Sequence, residues 1–190
     1  MRERLLDATI LSILEDGFSG ATTRRIGQRA GVSRGAQLHH YPTRQHLLGA
    51  AAEHLLNRRH QEFQLAQAGG LTSAAAIAAA VEFLWSIYSG PTLKVWQELV
   101  IAARTDAALR EQLAGVNERF FARARQTLAD LFGRPAVDDD ELAAITRLTL
   151  AILDGLALNQ TLEPDERGAR NVLRLVETLA AAWSEQLRRT

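Results

Sequence analysis

Cysteine is absent from the 190 residues. That excludes a disulfide scaffold, cysteine-ligated zinc and a cysteine nucleophile. Prolines number only four, and β-branched and aromatic residues form few clusters, so the usual signal for strands is missing and an all-helical chain is expected. There is no unbroken apolar run of roughly 18 residues, and the N-terminal MRERLLDAT is charged on both sides of its first leucines. Neither a transmembrane span nor a secretory signal is expected, which makes the cytoplasm the default compartment. Net charge is missing as well, with 22 basic residues against 22 acidic ones. A chain of this length buries roughly 70% of its unfolded surface, so its core needs no disulfide or metal staple.

The neutral sum conceals an asymmetry. Residues 1–60 hold nine arginines and five acids, a balance of +4, whereas the rest holds 13 basic and 17 acidic residues, a balance of −4. All five histidines fall at or before position 60. A basic head that meets an anion, on an acidic body that does not, is the physical reading of that split.

Apolar spacing and capping residues divide the chain into nine helices with no strands. The first carries Leu6, Ile10, Ile13 and Leu14, and Gly17 closes it. Thr22 or Thr23 caps a second, through Ala30, and Ser33 caps a third, from Arg34 to His40. Tyr41-Pro42-Thr43 interrupts, and Thr43 caps a long helix from Arg44 to about Ala68. Gly69-Gly70 precedes helices from Ser73 to Tyr88 and from Thr92 to about Arg104. Asp106 opens the seventh, which runs to about Leu131 before Gly133-Arg134-Pro135. Asp138 with Glu141 has the spacing of a capping box and starts a helix to Leu162. Pro164 suits the first turn of the last, which reaches nearly to Arg188.

Helix, glycine turn and short helix outline a helix-turn-helix. Gly27 and Ala30 permit close approach, Gly31 makes the turn, and Ile26, Val32 and Leu38 supply apolar contacts. The third helix then presents Ser33, Arg34, Gly35, Ala36, Gln37 and His39 outward near its start, where base edges in a major groove are read. Arginine suits guanine and glutamine suits adenine.

Residues 22–48, TTRRIGQRAGVSRGAQLHHYPTRQHLL, resemble the DNA-binding signature of the tetracycline-repressor (TetR) family of bacterial transcriptional regulators. Thr23, Ile26, Ala30, Gly31, Val32, Ser33, Gly35, His40, Tyr41, Arg44 and Leu47 carry the resemblance, and the preceding helix fits it. It implies a DNA-binding domain over 1–45 and a helical regulatory and dimerisation domain over 46–190. Thr23, Arg24, Arg25, His40, Tyr41 and Arg44 join the third helix as expected DNA contacts, with Arg24, Arg25 and Arg44 on phosphates. Gly27 replaces the family's usual alanine, Leu38-His39 stands where an aromatic pair is common, and Arg44 replaces lysine. Arginine can hold a phosphate bidentately.

Gly31-Val32-Ser33-Arg34-Gly35 also satisfies G-x-S-x-G, the nucleophile elbow of α/β-hydrolases. That elbow needs a preceding strand and a later acid and histidine in order, neither of which is present in the required form. No two histidines stand four apart, the spacing that places two imidazoles side by side on a helix. No catalytic residue, metal or cofactor is expected. The rival reading is an all-helical enzyme or metal-dependent protein built on the central aromatics.

Those aromatics are Phe83, Trp85, Tyr88, Trp96, Phe120 and Phe121. The resemblance implies a ligand cavity in the C-terminal domain, for which they would form an apolar or amphipathic wall, with Asn159 and Gln160 orienting the ligand. In the last two helices the apolar stripes are wider than one buried face requires. Leu148, Ile152, Leu156, Leu173, Val176 and Trp183 are the expected dimer contacts, and the resemblance implies a four-helix bundle between two subunits. The expected protein is a homodimeric repressor that a small molecule releases from a near-palindromic operator, without crossing or binding a membrane.

Overall fold

The computed structural model describes residues 1–66, 73–131 and 138–187, with side chains as far as Glu185. Within these residues the elements are helices: α1 (Arg2–Gly20), α2 (Thr23–Ala30), α3 (Arg34–His40), α4 (Arg44–Ala66), α5 (Ala74–Tyr88), α6 (Pro91–Ala102), α7 (Ala107–Leu131), α8 (Asp139–Leu162) and α9 (Glu166–Leu187). Among the described residues there is no strand. Three expected punctuation points, Gly69-Gly70, Gly133-Arg134-Pro135 and the C-terminal end near Arg188, lie outside the described residues.

Local side chains start most helices. Thr22 accepts from the Arg25 amide at 3.3 Å, Ser33 from Ala36 at 3.3 Å, Thr43 from His46 at 3.2 Å and Ser73 from Ala76 at 3.2 Å. Each oxygen satisfies one of the amides that a helix start leaves without an internal partner. Two expected starts differ. Asp138 accepts from Asp140 at 3.2 Å, and Glu141 does not fold back to close a capping box. Its carboxylate instead accepts the indole N–H of Trp183 on α9 at 3.2 Å, a donor that needs a partner when half-buried. Pro164 stands before α9 rather than inside it, because Asp165 is the cap, accepting from Gly168 at 2.8 Å.

Packing divides the chain into two compact units, each built from two stretches. Unit 1 is Met1–Arg59 with Gly90–Phe120, and unit 2 is His60–Ser89 with Phe121–Thr190. The expected boundary at 45/46 falls inside α4, within unit 1.

In unit 1, α1 packs on α2 and α6, and α2 on α3. Leu5, Ile13, Ile26, Leu47, Leu48, Val95, Leu99 and Leu109 have essentially no exposed surface and form its centre. Gly17 does not end α1 but breaks it, with φ +70 and ψ 173. The break takes Phe18 out of the helical ladder, and its amide donates to the Glu98 carboxylate of α6. Asp106 caps α7 at Leu109 (2.9 Å) and also accepts from Gln45 of α4 at 3.0 Å. Those hydrogen bonds, Gln45 first, hold its carboxyl below the ordinary range.

In unit 2, α5 lies against α8 and α9. Ile77 and Ala80 are buried beside Phe63, Leu131, Ala180 and Ala181. Leu153 and Leu173 are wholly buried, and Val176 nearly so. Leu173 and Val176 therefore belong to the core of the protomer rather than to the outer face expected of dimer contacts. The exposed leucines of these helices are Leu148, Leu158 and Leu162 on α8 and Leu175 and Leu179 on α9.

Candidate nucleic-acid interface

The helix-turn-helix is formed by α2, Gly31 and α3. Gly31 takes the left-handed conformation, φ +62 and ψ 39, which a residue with a Cβ rarely adopts. Its amide bonds back to Gln28 at 3.2 Å, and that of Val32 to Gly27 at 2.9 Å, closing α2. Ile26 is completely buried beneath the crossing.

Two neighbouring residues of α3 exchange the places expected of them. Gln37 is 4% exposed and Leu38 is 47% exposed. Gly27 gives the reason: a Cβ there would stand 3.0 Å from Gln37 Oε1 and 3.2 Å from the Val32 carbonyl. The missing methyl leaves the space that the Gln37 amide fills, and α3 is turned so that Leu38 points outward. The outer surface of α3 thus carries Arg34, Gly35, Leu38 and His39. A Cβ on Gly35 would meet nothing within 4 Å.

Charge is distributed with equal selectivity. Arg25 pairs with Asp16 at 3.2 Å, and Arg29 with Glu15 at 2.6 Å and Asp16 at 3.8 Å, tying α2 to α1. Arg44, expected on a phosphate, already has backbone acceptors in unit 1. Its guanidinium donates to the Phe18 carbonyl at 2.7 Å and to Ala21 at 3.4 Å, and sits 4.3 Å from the Phe18 ring centroid. Burial lowers its pKa from the ordinary value. Arg24 and Arg34 are exposed and have no ion pair or hydrogen bond among the described residues. They flank a groove between α2 and α3 whose walls include Thr23, Gln28 and Val32.

Tyr41, expected as a DNA contact, is 5% exposed and packs its ring in the unit 1 core. His40 is half-buried, with its ring 5.4 Å from that of His39 and its Nε2 buried without a partner. Ser33 uses its hydroxyl as the cap of α3, and Ala36 provides the amide it accepts from.

The residues expected at a ligand wall are dispersed. Trp96 and Phe120 pack against the unit 1 core. Phe83 stacks beside Phe63 at 6.2 Å, and the Arg147 guanidinium lies 4.7 Å from the centre of the Phe121 ring. Trp85 is half-buried. Tyr88 is buried near Asp154, and desolvation pushes both acids up, Asp154 to about 6. Asn159 is exposed, and Gln160 spends its amide on both backbone groups of Asp165, at 2.9 and 3.0 Å, holding the α8–α9 turn. An apolar cavity of about 270 Å³ does lie in unit 2, and none of these eight residues lines it. Phe63, Ile77, Leu84 and Leu128 do, with Leu148, Ile152, Val176 and Trp183, four residues expected at the dimer face. Sequence periodicity marks all of these as apolar and says nothing of which void they border.

A basic helix-turn-helix whose second helix is exposed at its start defines a DNA-binding transcriptional regulator. The chain belongs to the TetR family. The family profile described as bacterial regulatory proteins, tetR family, matches residues 5–51, and that of the BetI-type transcriptional repressor C-terminal region matches residues 89–184. An HTH-type transcriptional regulator of Mycobacterium tuberculosis is 34% identical over 155 residues, 82% of this chain and 80% of that protein. The HTH-type transcriptional regulator BetI of Paraburkholderia phymatum is 32% identical over 178 residues, 92% of this chain and 88% of that protein. The crystal structure of a transcriptional regulator from Streptomyces coelicolor superposes with a TM-score of 0.71 at 26% identity, covering 94% of this chain and 97% of that one.

Proposed function

We propose that this TetR-type regulator is a cytoplasmic homodimeric repressor, released from a near-palindromic operator when a small apolar or amphipathic molecule occupies unit 2. Residues 1–45 are the DNA-binding domain and 46–190 the regulatory and dimerisation domain. The observation that carries the reading is the exposed start of α3, with Arg34 unpaired beside Arg24. Arg34 and His39 read base edges, Leu38 meets a thymine methyl, and Arg24 and Thr23 hold phosphate. Arg25 can join them by leaving its exposed pair with Asp16, since such pairs hold only weakly.

Dimerisation is supported by the leucines at 158, 162, 175 and 179, which leave an apolar face on α8 and α9 without cover. Two copies place two α3 helices about one DNA turn apart or slightly more, roughly 34 Å, so the operator is near-palindromic. Control follows from chain continuity, since α4 and α7 contribute residues to both units. A ligand that binds one arrangement of these helices better shifts the head, and a tenfold loss of operator affinity needs about 1.4 kcal/mol of coupling.

The test is fluorescence anisotropy on DNA flanking the gene, with the wild type and Arg34→Ala. A specific complex that the variant loses is expected. Equal affinity for that DNA and for unrelated DNA in the wild type would sink the reading.

A further inference from the structure

The wall of the unit 2 cavity bears no charge. Aliphatic and aromatic side chains from α4, α5, α7, α8 and α9 build it, and among the described residues no acid, arginine, lysine or histidine belongs to it. Arg147 and Asp154 are the charged residues of this part of α8, and both are engaged elsewhere. The Arg147 guanidinium lies 4.7 Å from the centre of the Phe121 ring, and Asp154 stands near the buried Tyr88. An ion that entered the cavity would lose its hydration and gain no opposite charge.

Two polar side chains do reach the wall, Thr149 and Trp183. The Trp183 indole already donates to Glu141 at 3.2 Å. Thr149 differs from other threonines of α8 and α9. Thr146 and Thr178 each donate to the carbonyl four residues back, at 2.8 Å, the usual outlet for a hydroxyl in mid-helix. The Thr149 hydroxyl makes no hydrogen bond among the described residues, although the residue is only partly exposed. The wall therefore keeps a spare neutral hydrogen-bonding group and no spare charge. A cavity of roughly 150 Å³ lined by apolar side chains accepts benzene, so one of about 270 Å³ takes a bicyclic ring.

Resting on the effector reading of that cavity, we propose that its ligand is an uncharged, mostly hydrocarbon molecule of bicyclic size with a single hydroxyl or carbonyl group, which Thr149 meets. The apolar body takes the aliphatic wall. One polar group finds one partner, and further ones would be buried unpaired. A carboxylate or an ammonium on the same skeleton is rejected, because nothing on the wall balances its charge. The cavity thus selects by charge first and by the hydrogen bond of Thr149 second.

The probes share one skeleton: indane, 2-indanol, indane-2-carboxylate and 2-aminoindane, titrated calorimetrically into the full chain at neutral pH, where the last two are ions. The two neutral probes are expected to bind at least roughly tenfold more tightly than either ion and to raise the melting temperature accordingly. Thr149→Val keeps the shape and removes the hydroxyl, so it should weaken 2-indanol several-fold and leave indane unchanged. Thr149→Ser should keep the wild-type ratio of the two. Damage to the cavity itself would weaken both neutral probes alike. Should Thr149→Val fail to fold, Thr149→Ala carries the same comparison of 2-indanol with indane. An ion that binds as tightly as 2-indanol overturns the neutral class and leaves the effector reading of the cavity standing. A variant without the hydroxyl that keeps the wild-type ratio overturns the Thr149 contact and likewise leaves that reading standing. Binding of none of the four probes overturns both.

Discussion

Arg44 and Phe18 hold one another at the joint between α1 and α4: the guanidinium donates to the Phe18 carbonyl at 2.7 Å and lies over its ring at 4.3 Å. Gly17 makes this joint necessary, since its positive φ frees the Phe18 backbone from α1. Glu98 then takes the amide and Arg44 the carbonyl. An arginine in the position of a phosphate clamp is thereby a structural clamp.

Arg44→Ala should destabilise the folded chain by about 1.5–3 kcal/mol, the scale of a charge-assisted hydrogen bond left unmade. Urea denaturation measures it. The slope of log affinity against log salt for DNA should stay as in the wild type, whereas loss of a phosphate contact would lower it by about one. A reduced slope with unchanged stability would reverse the assignment.

Arg34→Ala and Gln37→Ala should behave differently. Arg34→Ala should relax preference at one base pair, at a cost of roughly 1–3 kcal/mol there. Gln37→Ala removes a buried side chain packed beside Gly27, so it should lower stability and weaken all DNA sequences alike. Binding to a panel of single-base operator variants separates them. A base-specific loss for Gln37→Ala would place its amide in the groove after all.

Leu158→Glu and Leu175→Glu alter exposed residues of α8 and α9. Each should yield folded monomer, because charge buried without a partner opposes association. Leu173→Glu is the contrast: it enters a wholly buried position and should unfold the chain. Sedimentation gives the mass and circular dichroism the fold. Dimers persisting in both exposed variants would remove this face from the interface.

Asp154 gives a pH dependence of known sign. Burial raises its folded pKa to about 6, above the unfolded value near 3.8. Between those values the folded chain holds more protons, so this group's contribution to stability falls as pH rises from about 4 to 6, then levels. Asp154→Asn should therefore be more stable than the wild type at pH 8 and no different below pH 4. His60, with its lowered pKa, works in the opposite direction, so the difference between the two proteins is the quantity to follow by thermal melting. A stabilisation that is equal at both pH values would disconnect it from ionisation.

The local sequence determined where the helices of the head begin and how its turn is made. A hydroxyl at Thr22, Ser33 or Thr43 caps an amide three residues on, and Gly31 needs only its own freedom to reach positive φ. These are short-range effects, and they read directly from residue order. The motif over residues 22–48 likewise carried the family. What the tertiary structure alone decided depends on the opposite partner of each side chain. Helical spacing put Leu38 inside and Gln37 outside, and the hollow at Gly27, ten residues earlier, reversed them. Arg44 was legible as a cation but not its acceptors, which are the backbone exposed by a break 27 residues before it. The apolar stripes of α8 and α9 were equally plain, yet Leu173 entered the core and Leu175 the surface, because two residues of helix differ by about 200° around its axis. Periodicity gives the width of a buried face; only the packed neighbours fix which leucines meet the core, a cavity or a second chain.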